Sequence, residues 1–588
     1  MMEKLDALLV RIRTSNVFTK HAVEDEQMGL LYIATHCNNN GFRSAVLDEQ
    51  NYSLDLLDST LEKSGATVVG FFCDHENINS VISSVNYLKK NGKAVFCVAG
   101  GPQVTACPWD RRIFERSPQL DVVVKGEGEE AFLDILKSVL HKQKKLSDIL
   151  GIVYQKNGEI NETPPRPLEK GLDNFPIPDR NLNYYGKNPD GSENMVTARG
   201  CPHHCAFCFE GQSHSVRLRS PESVLEEIEY LLKERDMTYV AILDDVFTVK
   251  IKRLKEICDG FKRLQEKYHP FSWFCEGRVE VISRYPEIAK EMYDAGLIRL
   301  QIGVESGSQK VLDAYNKGIS LAQITDAVDI CYAADILSTV GNFIIGGAHE
   351  DQETVYKSID FACDLMKRAP GCYDFNTTIL TPYPGTEIYK HPEKYGMTIL
   401  DEDCVTGFGD NYAFAETRAL SKWEILDARQ SFMEVVENQA KALIPEVDEE
   451  RKLRHFKAYY HFGIQTIWYQ IIASQLNLYN YYGLQVSRDK KSYGTLSEQE
   501  VLTHKPLRTI NIGSSISDQL VLPFHERPLK FSYLGGKIFE LCTGKLTVGQ
   551  ILETIGQSLP PDHPPLKAYV FETLEFLDRE KLIVFSDL

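Results

Sequence analysis

The sequence predicts an α/β protein with an N-terminal doubly wound parallel sheet, a central partial (β/α)6 barrel and a small C-terminal winged-helix-like α+β domain. Three observations predict this order. Strand and helix patterns alternate in two separate stretches, a proline-rich stretch lies between them, and the last segment runs from strand patterns to helical ones. The length of 588 residues also favours three or four domains.

Residues 1–140 alternate five apolar strand patterns with helical patterns that end at glycine, as helix C-caps commonly do. The strand patterns are "LDALLVRI", "SAVLD", "TVVGFFC", "AVFCVAGG" and "DVVVKGEG". Such a sheet binds its ligands beyond the carboxyl ends of the strands. Residues 141–190 contain "TPPRPLEKGLDNFPIPDRN" and are predicted to be an extended linker.

Residues 191–400 are predicted to form the barrel, with its site at the carboxyl ends of the strands. Ser220 and Pro221 are suited to the N-cap and first position of the first helix. The six strand patterns are "NMVTA", "YVAILD", "SWFCEGR", "IRLQIGVE", "VGNFIIGG" and "FNTTIL".

The remaining chain is divided into a helical extension, residues 401–513, and the winged-helix-like domain, residues 514–588. The extension contains the aromatic-rich pattern "HFGIQTIWYQIIASQLNLYNYYG", which favours a core helix over a cofactor site. The final segment passes from "DQLVLPF" and "LKFSYL" to three helical patterns.

The composition argues against several classes of protein. There are 65 basic and 83 acidic residues, and the net charge of −18 disfavours general nucleic-acid binding and anionic membrane surfaces. The N-terminal stretch lacks the apolar run of a signal peptide, and no stretch has the uncharged length of a membrane span. We therefore expect a cytoplasmic protein, and most of the 14 cysteines are expected to be buried thiols.

Three cysteines stand close together in "CPHHCAFC", directly after the first predicted barrel strand. Cys201, Cys205 and Cys208 are ligand types for zinc or an iron–sulfur cluster. A structural zinc ion needs four ligands, and His203 or His204 would have to supply the fourth. Three thiolates on a cluster of four irons leave one iron open, which favours a cluster that binds a substrate or cofactor.

The spacing C-x-x-x-C-x-x-C resembles the signature of the radical S-adenosylmethionine (SAM) enzymes. "ILDDVF", "CEGRVE", "LQIGVESGSQKVL", "NFIIGGAHED" and "TPYPGTEIY" extend the resemblance over residues 190–390. It implies a 4Fe–4S cluster on the three cysteines and SAM chelated by the open iron. It also places Phe207 against adenine. The SAM site implied by the resemblance comprises Phe207, Glu210, Arg278, Glu305 and Ser306.

Upstream, "AGGPQVTACP" and "VVKGEGEEAF" resemble the cobalamin-binding group of this family, whose glycines allow the backbone to approach the corrin. The motif Asp-x-His-x-x-Gly is absent, and His21 has no Asp two residues before it. We therefore expect cobalamin without a histidine lower ligand. The predicted cobalamin residues are Asp74, His75, Asn77, Asn79, Gly100, Gly101, Gln103, Thr105, Lys125, Gly126, Glu127 and Gly128.

The segment "YLGGKIFELCTGKLTVGQILETI" is similar to the RiPP recognition element (PqqD-like) domain, which binds a leader peptide as an added strand. A leader would then pair along "DQLVLPF" or "LKFSYL", beside the helix of Phe539 and Leu541. The alternative is an accessory winged-helix domain that binds no peptide.

Together the resemblances imply carbon methylation of a peptide or an amino-acid-derived compound in natural-product biosynthesis. SAM would yield a hydrogen-abstracting radical, and cobalamin would carry the methyl group. Alternatives are a cyclase or ring-rearranging enzyme with the same cofactors, methylation of a free amino acid such as tryptophan, and a non-catalytic peptide-binding scaffold. The expected partners are a small-molecule or peptide substrate and an electron donor such as flavodoxin or ferredoxin.

Overall fold

The structure is a computed structural model, and it describes residues 4–13, 27–49, 52–183, 191–209, 214–405, 411–487, 490–509, 521–522, 529–557 and 566–586. The chain divides into two compact units, Met1–Gln439 and Ala440–Leu588. In the part of the chain that the structure describes, no helix combines the length and apolar character needed to cross a membrane.

The first unit begins with a seven-stranded sheet. Its strands are β1 (Ala7–Ile12), β2 (Ser44–Glu49), β3 (Val68–Phe72), β4 (Phe96–Gly100), β5 (Val122–Val124), β6 (Ile152–Lys156) and β7 (Glu159–Glu162). The spatial order is β2-β1-β3-β4-β5-β6-β7, and β1 to β5 run parallel. The accompanying helices are α1 (Met28–Asn39), α2 (Leu54–Ser64), α3 (Ile78–Lys90), α4 (Pro102–Thr105), α5 (Trp109–Arg116) and α6 (Glu129–His141).

Alternating residues of β1 pack into separate apolar cores on the two faces of this sheet. Leu8 and Val10 belong to one core, whereas Ala7 and Leu9 belong to the other. Side chains of a strand point alternately to opposite faces, so both faces must be covered by helices. The predicted doubly wound domain is therefore confirmed.

The predicted linker is shorter than expected, because its first part extends the sheet. β6 and β7 form a hairpin, and β6 pairs antiparallel with β5. Its two-residue turn consists of Asn157 and Gly158, both at positive φ. Asn-Gly is a strong hairpin signal, so this turn was readable in the sequence, but the surrounding prolines favoured an extended linker.

The barrel strands are β8 (Ser192–Met195), β11 (Tyr239–Ile242), β12 (Ser272–Gly277), β13 (Leu297–Glu305), β14 (Ser338–Ile345) and β15 (Tyr373–Ile379); a hairpin of β9 (Ala198–Arg199) and β10 (Arg217–Leu218) follows β8. The six strands are parallel, in the order β15-β14-β13-β12-β11-β8. The predicted partial barrel is thus confirmed. Its helices are α7 (Pro221–Arg235), α8 (Ile251–Lys267), α9 (Val279–Arg284), α10 (Glu287–Asp294), α11 (Gln309–Ala314), α12 (Leu321–Ala333), α13 (Gln352–Arg368) and α14 (Glu387–Lys390).

A buried charge network attaches the proline-rich linker to the barrel. The fully buried Arg180 donates from Nη2 to Glu227 Oε1 of α7 at 2.6 Å. Glu227 also pairs with Arg219, and Arg180 donates to the carbonyl oxygen of Asn194 at 2.8 Å. Because these charges lie away from water, each depends on its partners.

A small antiparallel pair follows the barrel: β16 (Met397–Ile399) lies at the end of the predicted barrel range, and β17 (Ala415–Thr417) lies inside the predicted helical extension. The long helix α15 (Lys422–Leu443) comes next. Its Phe432 contacts Phe343 of β14 and Phe375 of β15, with ring centroids 4.9 and 5.8 Å apart. This contact covers the outer face of the last two barrel strands.

The second unit contains the aromatic-rich helices and the C-terminal domain. Its elements are α16 (Glu449–Phe462), α17 (Ile467–Ala473), α18 (Leu476–Ser487), α19 (Glu498–Thr503), β18 (Lys505–Arg508), β19 (Val521–Leu522), β20 (Leu529–Lys530), α20 (Tyr533–Leu541), α21 (Val548–Gly556), α22 (Leu566–Arg579) and β21 (Ile583–Ser586).

The C-terminal domain starts earlier in the structure than the predicted boundary at residue 514. β18 pairs antiparallel with β21, and Val501 of α19 belongs to the same apolar core as Phe539 of α20. Pro506 interrupts the strand pattern of β18, which explains why the sequence placed this segment in the helical extension. Of "DQLVLPF", only residues 521–522 are described.

Candidate active site

The cysteine loop lies between β9 and β10 and is held by two other segments of the barrel. The Ala206 N–H donates to the carbonyl oxygen of Tyr315 at 2.9 Å, and the Ile388 N–H donates to the carbonyl oxygen of Ala206 at 3.0 Å. Asn316 Nδ2 donates to the carbonyl oxygen of His204 at 2.9 Å. These bonds fix the loop backbone between the cysteines, independently of any bound group.

All three cysteines line one cavity of about 470 Å³. Burial raises the pKa of Cys201. Burial, followed by the charges of Cys205 and Cys201, raises the pKa of Cys208 to about 11. The close approach of three thiolates calls for a cationic centre such as iron.

Three cysteines around one cavity are a donor set that fits an iron–sulfur cluster with one open iron. His203 and His204 line the same cavity, and the assignment of the ligands stays a prediction.

A buried ion pair occupies the carboxyl end of the barrel beside this loop. Lys317 Nζ lies 2.5 Å from Glu305 Oε1, and Arg278 Nη2 donates to the carbonyl oxygen of Lys317 at 2.9 Å. A Cβ at Gly303 would lie 2.2 Å from Glu305 Oε1 and 2.3 Å from Lys317 Nζ, so glycine leaves the space that the pair fills. Glu305 has a φ of +63°, an unusual conformation that is often found at functional sites.

Three of the five predicted SAM residues adjoin this ion pair. Arg278 and Glu305 contact Lys317 directly, and Phe207 lies with its ring centroid 5.7 Å from Lys317 Nζ. The Ser306 side chain contacts other residues than this ion pair. Its Oγ lies 3.1 Å from Ser358 Oγ of α13, and it accepts a hydrogen bond from the Ser308 N–H. Glu210 lies outside the described residues.

Lys317 was missed in the sequence because it lies in a loop after α11, and only the fold brings it to Glu305. Two acidic residues at or after the ends of barrel strands, Glu276 and Asp244, were also missed. Gln301 Nε2 donates to Glu276 Oε1 at 3.0 Å, and burial, then the charge of Asp245, raises the pKa of Glu276 to about 7. Asp244 is fully buried and accepts from the Thr197 N–H at 2.6 Å, so it fixes the strand that leads to the cysteines.

A second cavity, of about 650 Å³, lies between the first sheet and the barrel. It is bounded by the loops after β4 and β5, by α1 and α6, and by the β9–β10 hairpin. Six of the predicted cobalamin residues line it: Gly100, Gly101, Thr105, Gly126, Glu127 and Gly128.

The other six predicted cobalamin residues serve nearby turns and contacts instead. Asp74 accepts from the N–H groups of Glu76 and Asn77, and Asn77 Nδ2 donates to the carbonyl oxygen of Phe72. The remaining contacts are Asn79 with Val405, Gln103 with Asp403, Lys125 with Asp110 and Glu162, and His75 with Tyr383.

Two of the glycines that line the cavity are required by close packing within the protein itself. Gly101 has a φ of +123°, and a Cβ there would lie 2.5 Å from the carbonyl oxygen of Cys73. A Cβ at Gly128 would lie 2.7 Å from Ile33 Cδ1. No histidine is among the described residues that line the cavity, and His21 lies outside the described residues. The absence of a histidine lower ligand therefore stays a prediction.

The two cavities meet at Phe209, which lines both. On the other side of its ring is Gly385, where a Cβ would lie 3.1 Å from Phe209 Cε2 and 3.4 Å from Ala106 Cβ. Gly385 thus packs between the cysteine loop and the first sheet. The two cavities are neighbours that share the Phe209 side chain.

Comparison with known proteins identifies both regions. Residues 195–362 match the Radical SAM superfamily, and residues 17–136 match the B12 binding domain. An uncharacterized methyltransferase of Pyrococcus horikoshii is 33% identical over 337 residues, which are 56% of this chain and 70% of that protein. The anaerobic magnesium-protoporphyrin IX monomethyl ester cyclase of Cereibacter sphaeroides is 29% identical, and the match spans 54% of this chain and about half (51%) of that protein.

Solved structures share the fold at low sequence identity. The cobalamin-dependent SAM radical enzyme OxsB, with aqua-cobalamin and SAM bound, is 17% identical with a TM-score of 0.61 over 82% of this chain and 75% of that one. The radical SAM methyltransferase TsrM from Kitasatospora setae, with tryptophan and a SAM analogue, is 18% identical with a TM-score of 0.54 over 66% and 76% of the two chains. These likenesses show that the two domains and their order are shared.

Proposed function

The chain belongs to the cobalamin-dependent radical SAM methyltransferases, and from that premise we propose that it methylates a carbon atom of a peptide or an amino-acid-derived natural product. The family membership confirms the three predicted cofactors, a 4Fe–4S cluster, SAM and cobalamin. The observation that carries the proposal is the meeting of the two cavities at Phe209.

When bound, the cluster with SAM supplies reactivity that removes hydrogen from carbon, and cobalamin supplies a methyl group. The residues of the chain would orient these groups and exclude water from the space around them. The buried cations of Arg278 and Lys317 are suited to a carboxylate, and Glu305 can accept hydrogen bonds from hydroxyl or ammonium groups. The residues Cys201, Cys205 and Cys208 for the cluster and Phe207, Arg278 and Glu305 for SAM remain proposals, as do the glycines for cobalamin.

We expect Arg278→Met to raise the dissociation constant for SAM by at least about tenfold, because a buried charged donor is lost. Equilibrium dialysis of the cluster-loaded protein measures this. Arg284→Met is the matched control, since Arg284 is exposed on the following helix. Equal SAM affinity of Arg278→Met and the control would contradict the assignment.

Gly100→Leu should block cobalamin. A Cβ at Gly100 has Val124 Cβ as its nearest neighbour, at 3.6 Å, so the fold tolerates it, but a longer side chain must extend into the cavity. We expect the dissociation constant for hydroxocobalamin to rise at least about tenfold, and Gly100→Ala to remain close to wild type. Equal binding by the Leu and Ala variants would argue against this cavity.

The identity of the substrate is the most specific part of the proposal. Leader binding by the C-terminal domain is supported by its sequence alone, and the described edges of its sheet are occupied. Lys491 exchanges two backbone bonds with Phe585 on one side, and the Gly544 N–H donates to the carbonyl oxygen of Pro506 on the other. A leader strand would therefore have to pair with β19 or β20.

Incubation with methyl-labelled SAM tests the substrate class. Labelled methyl groups on carbon of a precursor peptide, with none on free tryptophan, would support the peptide proposal. The reverse result would support the amino-acid alternative. A cyclised or rearranged product without a new methyl group would favour the alternative function, that of a cyclase or ring-rearranging enzyme. The similarity to a cyclase supports this alternative. The electron donor, such as flavodoxin or ferredoxin, stays a prediction.

A further inference from the structure

Two arginines of the β9–β10 hairpin hold the glycine loop after β5. Arg217 forms a two-pronged pair with Glu127, at 3.0 and 2.6 Å. Arg199 lies 3.1 Å from Glu127 Oε1 and donates to Glu129 Oε1 at 2.6 Å. The carboxylates on both sides of Gly128 are thus bound from the barrel. We call Arg199, Arg217, Glu127 and Glu129 the latch.

Arg199 is confined on its other sides as well. Its guanidinium lies 5.1 Å from the ring centroid of Tyr32 of α1 and 5.1 Å from that of Phe175 in the linker. Although burial opposes it, the hydrogen bond from Arg217 and the charge of Arg199 hold the pKa of Glu127 below its usual value. The charges of the latch satisfy one another, so Glu127 is not available to bind a ligand through its carboxylate.

Arg199 also lies directly before Gly200 and Cys201 in the chain. The Gly200 N–H donates to Asp245 Oδ2 at 3.0 Å. This bond fixes the backbone between Arg199 and Cys201. The same side chain therefore connects the loop of the large cavity with the loop of the cysteines.

Resting on the proposed function, we infer that Arg199 is a positioning residue that sets the separation between cobalamin and the cluster. The rate of a reaction between two bound groups depends steeply on the distance between them. A misplacement of about 1 Å can lower that rate on the order of 100-fold. An arginine that bridges two carboxylates and lies over two aromatic rings fixes such a distance better than lysine, whose ammonium is a point charge on a flexible chain.

The test compares Arg199→Met and Arg199→Lys with Arg111→Met, which removes an exposed arginine paired with Glu162 in the same sheet domain. Iron content and cobalamin content are measured first. The magnetic interaction between the reduced cluster and cob(II)alamin is then measured by pulsed paramagnetic resonance, because this interaction reports their separation. Finally, the ratio of methylated product to SAM cleaved is determined.

We expect both Arg199 variants to alter the magnetic interaction, and the Met variant to lower the product ratio at least about tenfold with SAM cleavage retained. Arg199→Met leaves Glu129 without a partner and could fail to fold. The double variant Arg199→Met, Glu129→Gln removes that unpaired charge and keeps the pair of Glu127 with Arg217. Wild-type interaction and product ratio in the Lys and double variants would overturn the inference. A wild-type protein that binds no cobalamin would overturn the proposed function, and the inference with it.

Discussion

Cys205→Ala should abolish the iron–sulfur cluster and, with it, all cleavage of SAM. A cluster held by three thiolates loses a protein ligand to one iron, and the remaining contacts cannot retain it against chelation or oxidation. After anaerobic reconstitution we expect iron to fall from about four per chain to near zero. Formation of 5′-deoxyadenosine should fall below detection.

The matched control for this result is Cys107→Ala. Cys107 is exposed and lies outside the cysteine loop, so its loss should leave iron content and SAM cleavage unchanged. Circular dichroism should be the same for both variants, because the backbone bonds at Ala206 do not depend on the thiol. If Cys205→Ala retained a full complement of iron, the three-cysteine assignment would be wrong.

Glu227→Leu should be among the most destabilising single substitutions in the first unit. It leaves the fully buried Arg180 and the buried Arg219 without their shared carboxylate. Breaking a buried ion pair in this way costs about 3–5 kcal/mol, a large part of the stability of a typical domain. The measurement is urea unfolding of the wild type and the variant.

Glu229→Leu, two residues along the same helix, provides the control. Glu229 pairs at the surface with Lys233 and Lys267, where water and salt screen the interaction. Its unfolding midpoint should stay close to wild type. Similar midpoints for the two variants would show that the network around Arg180 is not a structural attachment of the linker.

The sequence was sufficient for the elements that carry strong local signals. The six barrel strands, the Ser220 cap and the position of the cysteine loop all follow from period, capping residues and spacing. The cofactors followed from the motifs. The assignments of individual residues to SAM and cobalamin stay predictions.

What the sequence did not indicate depends on contacts between distant segments. Lys317 follows α11 and meets Glu305, 12 residues earlier, only in the folded barrel. Glu127 looks like a ligand in "KGEGEE", but its partners come from residues 199 and 217. Asp74 and Asn77 follow a strand as ligands often do, yet they close their own turn. Local sequence patterns cannot distinguish a residue that binds a ligand from one that closes a turn or forms an ion pair.

The β6–β7 hairpin changes which strand stands at the edge of the first sheet. Without it, the all-valine strand β5 would be the free edge, with unpaired N–H and C=O groups that a second chain could join. β7 replaces it at the edge with a strand of four residues that begins with Glu159. A short, charged edge strand opposes edge-to-edge stacking of identical molecules, so we expect this hairpin to disfavour fibrillar aggregation while the chain is being concentrated or refolded.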